Sequence, residues 1–169
     1  MKTDSRGFSL IELLIVVAII LIIAAIAIPN FLRSRVAANQ ASAVGSLRTL
    51  STAEFTYSST YGQGYSATLG ALGPPASGLA DSTHSGIVDS VLSGTATGGA
   101  SAMTSTKSGY RFTYSPGTVV NGQIVSYTIT VDPVTRGTTG TNSYFVDQSG
   151  VVRQNSTTQA SATDSPLAG

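Results

Sequence analysis

One carboxylate stands where a charge is costly. Glu12 is the only charged residue between Phe8 and Leu32, and residues 13–28 are all Leu, Ile, Val or Ala. An acidic side chain at a bilayer centre costs about 2.5–3.5 kcal/mol on insertion scales, so such a group implies a partner. Phe8 lies four residues before Glu12, and Gly7-Phe8 follows a polar head containing Lys2 and Arg6. Cleavage after Gly7 would create a free amine on Phe8. On one extended helix that amine and the Glu12 carboxylate lie at different depths. The donor that fits is the amine of a neighbouring copy shifted along the helix axis, and Glu12 reads as an assembly group.

Other reactive groups are sparse. His84 is the only histidine, so a Ser-His-Asp triad would have to use it. Its setting, Asp81-Ser82-Thr83-His84-Ser85-Gly86, has the composition of a loop and favours a solvated histidine. Asp81, His84 and Asp89 could approach a metal, but their spacing matches no standard site. Asp132 or Asp147 with loop carbonyls could serve calcium, although no ligand-loop spacing is present. Asn155-Ser156-Thr157 has the form of a glycosylation acceptor, a triplet short enough to arise by chance. Phe8, Phe31, Phe55, Tyr57, Tyr61 and Tyr65 could form a stacked chain, but core filling and subunit packing need less assumption. Arg33, Arg35 and Arg48 could meet lipid phosphates, DNA or acidic residues of a neighbouring subunit. No catalytic residue, metal or cofactor is expected, and the chain does not read as an enzyme.

Composition narrows the class. Charged residues make up 10% of the 169, and the net charge is +1. That excludes a nucleic-acid surface built on bulk positive charge, and no nucleic acid is expected as a primary partner. With no cysteine there is neither a disulfide nor thiolate chemistry. Ser, Thr, Gly and Ala dominate residues 58–109 and again from 155 onward, a weakly charged surface that suits an exterior location.

The elements that carry Glu12 follow from hydropathy. Residues 8–28 as a helix would span about 31 Å, which matches a bilayer core. A secretory signal peptide cut after Ala25-Ile26-Ala27 is disfavoured, because Glu12 interrupts the apolar region and the run is too long. A plain anchor leaves Glu12 without a role, and a buried core helix is at odds with so little apolar bulk elsewhere. Pro29 predicts a kink rather than a stop. Beyond it Val36, Ala43, Leu47, Leu50 and Tyr57 recur on one face, so a stalk helix is expected over residues 8–57, about 75 Å long. Residues 58–109 read as a loop region with one short helix near 87–92 and a flexible insertion over 94–106. Alternation then predicts strands at residues 110–114, 125–131 and 144–146, with a fourth possible at 151–152. Asn121-Gly122 supplies a tight turn. The fold class is α+β: a long helix packed on a small antiparallel sheet of three to four strands within residues 110–154. A flexible tail is expected over 155–169.

Gly7-Phe8-Ser9-Leu10-Ile11-Glu12-Leu13-Leu14-Ile15-Val16-Val17-Ala18-Ile19-Ile20 resembles the class III signal sequence of type IV pilins and type II secretion pseudopilins. The similarity continues through Ala24-Ala25-Ile26-Ala27-Ile28-Pro29 and fades after about Leu50. The resemblance implies a leader of residues 1–7, cut after Gly7 by a prepilin peptidase that then N-methylates Phe8. It implies that Glu12 neutralises the N-terminus of an adjacent subunit. It also implies an inner-membrane, single-pass precursor with a cytoplasmic N-terminus. The charge count alone does not choose that orientation, since Lys2 and Arg6 balance Arg33 and Arg35. The implied partners are membrane lipid, an inner-membrane assembly platform, and other copies bound through helix 8–57 in a surface or periplasm-spanning filament. A type II secretion pseudopilin, or a minor tip pilin acting as a binding module for adhesion or DNA uptake, are the alternatives. Two features depart from the family: Leu21 stands where many pilins have glycine, and no disulfide can close a C-terminal loop.

Overall fold

The computed structural model describes residues 8–167; the expected leader, residues 1–7, and residues 168–169 lie outside that range. The chain divides into two compact units, Met1–Arg35 and Val36–Gly169, and helix α1, Leu10–Tyr61, draws residues from both.

In the first unit the helical assignment runs through Pro29 and through Leu21. Leu and Ala are good helix formers, and the Ile and Val between them cost only tenths of a kcal/mol each. Every large apolar side chain from Leu10 to Leu32 is exposed, with accessibilities between 45% and 81%. The helix is therefore not held by packing within its own unit.

In the second unit α1 is amphipathic. Ala43, Leu47, Leu50, Ala53 and Tyr57 are buried on one face, at the three- and four-residue spacing of a helical stripe. Gly62 ends the helix with φ +65°, and its N–H closes the last turn on Ser58 O at 3.0 Å. A left-handed residue there favours glycine because it lacks a Cβ.

The stripe covers an antiparallel sheet of β1 (Thr104–Lys107), β2 (Tyr110–Pro116), β5 (Tyr127–Pro133), β6 (Ser143–Asp147) and β7 (Arg153–Asn155), ordered β1-β2-β5-β6-β7. Phe112 pairs with Val131 and Ile129 with Val146, which aligns the inward residues in rows. Tyr110, Phe112, Tyr114, Tyr127, Ile129 and Val131 are at most 1% exposed and form the core with Leu47 and Leu50. A separate two-stranded ribbon, β3 (Val119–Val120) and β4 (Gln123–Ile124), turns on Asn121 and Gly122, both at positive φ. Positive φ at both central residues is the conformation a two-residue hairpin requires.

The architecture is the expected α+β one, and three local expectations are corrected. Residues 87–92 form a turn instead of a helix: Asp89 Oδ1 accepts the N–H groups of Val91 and Leu92, each at 3.0 Å, while Val88 and Leu92 are buried. Residues 94–106 are not a flexible insertion. They hold α2 (Thr95–Gly98), a 3-10 helix (Gly99–Ser101) and the start of β1, a fifth strand whose Thr-Ser-Thr-Lys sequence has no apolar alternation. The segment after β7 is tied down rather than free. Gln154 N donates to Ser165 O, Arg136 donates to the carbonyls of Ser156 and Thr158, and Ala160 is buried.

Candidate functional site

Ser9 lies just ahead of α1, and Glu12 lies in its first turn. The Glu12 side chain bends back, and the Ser9 N–H donates to its Oε2 at 3.0 Å. Leu13 N donates to Ser9 O at 3.2 Å. Ser9-x-x-Glu12 thus occupies the positions of a capping box, in which the carboxylate satisfies a backbone donor left over at a helix start. The positive end of the helix dipole favours the same charge. Sequence reasoning assigns Glu12 no partner within its own chain, although this spacing carries one. Among the described residues Oε1 accepts no hydrogen bond, so the carboxylate keeps an open acceptor. Phe8 is 77% exposed, and Gly7, the expected cleavage residue, lies outside the described residues.

The apolar surface that follows is the site's second component. The helix is long and apolar enough to cross a membrane by length and composition, with a mean hydropathy of 3.3 over its most apolar window. None of that apolar stretch is buried by the described residues. Such a surface needs lipid or other helices around it.

The remaining candidates do not converge. Asp81 Oδ1 accepts Thr83 N–H, Thr83 Oγ1–H and His84 N–H at 2.7–2.9 Å, so it caps a turn. Those bonds, the Thr83 hydroxyl first, hold its carboxyl below the usual range. Among the described residues the His84 ring meets only the Thr83 hydroxyl, through Nδ1 at 3.0 Å. Asp89 pairs with Lys107 at 3.4 Å. Asp132 accepts Ser143 Oγ and Gln159 Nε2, and Asp147 accepts Ser149 N and Oγ. Both Asp132 oxygens and one of Asp147's are engaged by protein donors. Among the described residues no three of His, Cys, Asp and Glu come together. Asn155 belongs to β7, and its amide is held by Asp164 at 2.8 Å. Phe31 is exposed and Tyr57 is buried, so the aromatics divide between surface and core.

Glu54 is the residue that sequence reasoning missed. It follows Leu50 by four residues and precedes Tyr57 by three, so it falls on the apolar stripe. Its side chain is 0% exposed. Ser66 N donates to its Oε2 at 2.9 Å, and its Oε1 lies 2.6 Å from Ser66 Oγ. Burial raises its pKa, and its hydrogen bonds with Ser66 offset this only in part.

A long apolar helix with a capped carboxylate at its start, continuing into a stripe packed on an antiparallel sheet, is a pilin-like α+β architecture. Residues 2–28 match the family described as the prokaryotic N-terminal methylation motif. A stretch of 50 residues is 56% identical to the type IV major pilin protein PilA of Myxococcus xanthus (strain DK1622). That stretch is 30% of this chain and 23% of the relative's length. Over these N-terminal residues the chain is similar to type IV pilins, and it spans about a quarter of the length of the relative it matches. No solved structure matches the chain.

Proposed function

We propose that this protein is the structural subunit of a type IV pilus-like filament. It inserts in the inner membrane through residues 8–28, loses residues 1–7 by cleavage after Gly7, and carries an N-methylated Phe8. It then polymerises through the helix of residues 8–57, with Pro29 absorbing a bend where neighbouring helices crowd. Glu12 would receive the Phe8 amine of an adjacent subunit on Oε1 while Oε2 keeps its own Ser9 N–H. The prepilin peptidase and an inner-membrane assembly platform are the partners this route needs. The observation that carries the reading is the apolar surface from Leu10 to Leu32, which no other described residue buries. Similarity to a protein described as a major pilin favours the shaft over a minor or secretion role.

N-terminal mass spectrometry of membrane-extracted protein tests the route. A mature start at N-methylated Phe8 is expected, and Gly7→Val is expected to leave only full-length precursor. A start at Ile28 would mean a secretory signal peptide and would overturn the proposal.

A further inference from the structure

Hydrogen counting around Ser66 leads to a second role for a glutamate on α1. Ser66 Oγ has one proton to donate. It lies 2.6 Å from Glu54 Oε1 and 2.9 Å from the carbonyl oxygen of Thr68. A carbonyl oxygen can only accept. If Glu54 were ionised, both neighbours would be acceptors, and one of these two oxygen–oxygen contacts, the first buried and the second part-buried, would have no hydrogen of its own. If Glu54 is protonated, every group is satisfied: Oε1–H donates to Ser66 Oγ, Ser66 Oγ–H donates to Thr68 O, and Ser66 N–H donates to Oε2. Tyr114 does not supply the missing proton, because its hydroxyl donates to Ser66 O at 2.7 Å.

The surroundings favour the same state. The titratable groups facing Glu54 are Tyr57 on α1, Tyr65 in the following loop, Tyr114 on β2 and Tyr127 on β5. All are phenols, shifted upward chiefly by burial, Tyr127 to about 12. They are neutral and bring no positive charge. The one ion pair among the described residues, Lys107 with Asp89, does not include Glu54. A buried carboxylate without a cation is strongly disfavoured against its neutral acid.

We propose that Glu54 is a proton-held latch: it stays protonated in the folded protein, ties α1 to the segment from Ser66 to Leu72, and releases that segment when it ionises. The segment has much to lose. Thr68 caps the 3-10 helix Leu69–Leu72, and all four residues of that helix are buried. The latch does not depend on whether the chain polymerises.

The pH dependence has a defined sign. A carboxyl whose folded pKa is raised stabilises the fold fully below its unfolded pKa, near 4.5. That contribution is lost as pH rises through the folded pKa. Asp81, Asp89 and Asp164 are shifted the other way from 3.8, so their contributions are complete above about pH 5 and do not overlap.

The test uses the full chain in detergent micelles, wild type against Glu54→Gln. Gln reproduces the neutral acid: its oxygen accepts Ser66 N–H, and its amide donates to Ser66 Oγ. Urea unfolding between pH 5 and 9 should show the wild-type folding constant falling by up to about tenfold per pH unit in the titrating range. Glu54→Gln should be flat over that range and more stable than wild type at its upper end. Infrared spectra should show a protonated-carboxyl stretch that Glu54→Gln lacks. Amide exchange over residues 66–72 should quicken with pH in wild type beyond its change in Glu54→Gln. A Gln variant that is unfolded or less stable at every pH, no difference in the carboxyl band, or equal exchange in the two proteins would each overturn the latch.

Discussion

Two stretches of one helix treat the same kinds of side chain in opposite ways. From Leu10 to Leu32 the large apolar residues are 45–81% exposed, while Leu47 and Leu50 are 0% exposed. Each stretch also carries a glutamate. Glu12 is exposed and answers a backbone N–H three residues away. Glu54 is fully buried and answers a serine twelve residues on, beyond the end of the helix. The first carboxylate has an acceptor to spare, and the second has a proton to keep. A stretch whose apolar side chains stay exposed leaves its polar group an open acceptor, whereas a buried stretch satisfies its polar group internally.

The comparison breaks most sharply at Glu12. We expect Glu12→Ala to insert in the membrane and be cleaved normally, but to give few or no filaments when it is the only subunit expressed. Glu12→Gln then divides the two functions of this side chain, because its amide oxygen still caps Ser9 but carries no charge. If charge sets the stagger between subunits, shearing and blotting will show Glu12→Gln as defective as Glu12→Ala. Parental filament levels for Glu12→Gln would leave only the cap, and Glu12→Asp is expected to fall between wild type and Ala.

Next in size is a matched pair of core-type substitutions. Leu47→Ala should destabilise the folded head by about 2–5 kcal/mol, since it deletes a fully buried side chain. Ile19→Ala, at 52% exposure, should leave head stability in detergent unchanged and weaken assembly instead. Urea unfolding monitored by tyrosine fluorescence reads the first effect, and filament yield reads the second. Equal destabilisation by both would mean that the first stretch is also intramolecular core.

The smallest contrast is between two serines. Ser51 Oγ meets Tyr127 OH on β5 at 3.2 Å in the core, whereas Ser34 Oγ donates to Asn30 O on its own helix at 3.0 Å. Ser51→Ala should cost about 1 kcal/mol. Ser34→Ala should stay within about 0.5 kcal/mol of wild type by the same unfolding measurement.

Sequence alone determined what depends on composition and short-range period. The unbroken apolar run, the isolation of Glu12 within it, the stripe through Leu47 and Leu50, and the alternation of β2 and β5 are local patterns with local causes. Asn121-Gly122 is legible for the same reason, since two residues with access to positive φ suffice to make the turn. Tertiary structure decided what depends on distant partners. β1 is a strand because Ser105 and Thr106 pair with Phe112 and Arg111, not because its own residues alternate. The helical turn that Asp89 caps goes no further because Gly94 takes a positive φ just after it. The C-terminal segment is held because Arg136, some twenty residues earlier, donates to its carbonyls. Glu54 is the clearest case. Its position on the stripe is written in the chain, but its burial and its proton depend on Ser66, Thr68 and Tyr114, which only folding brings within reach.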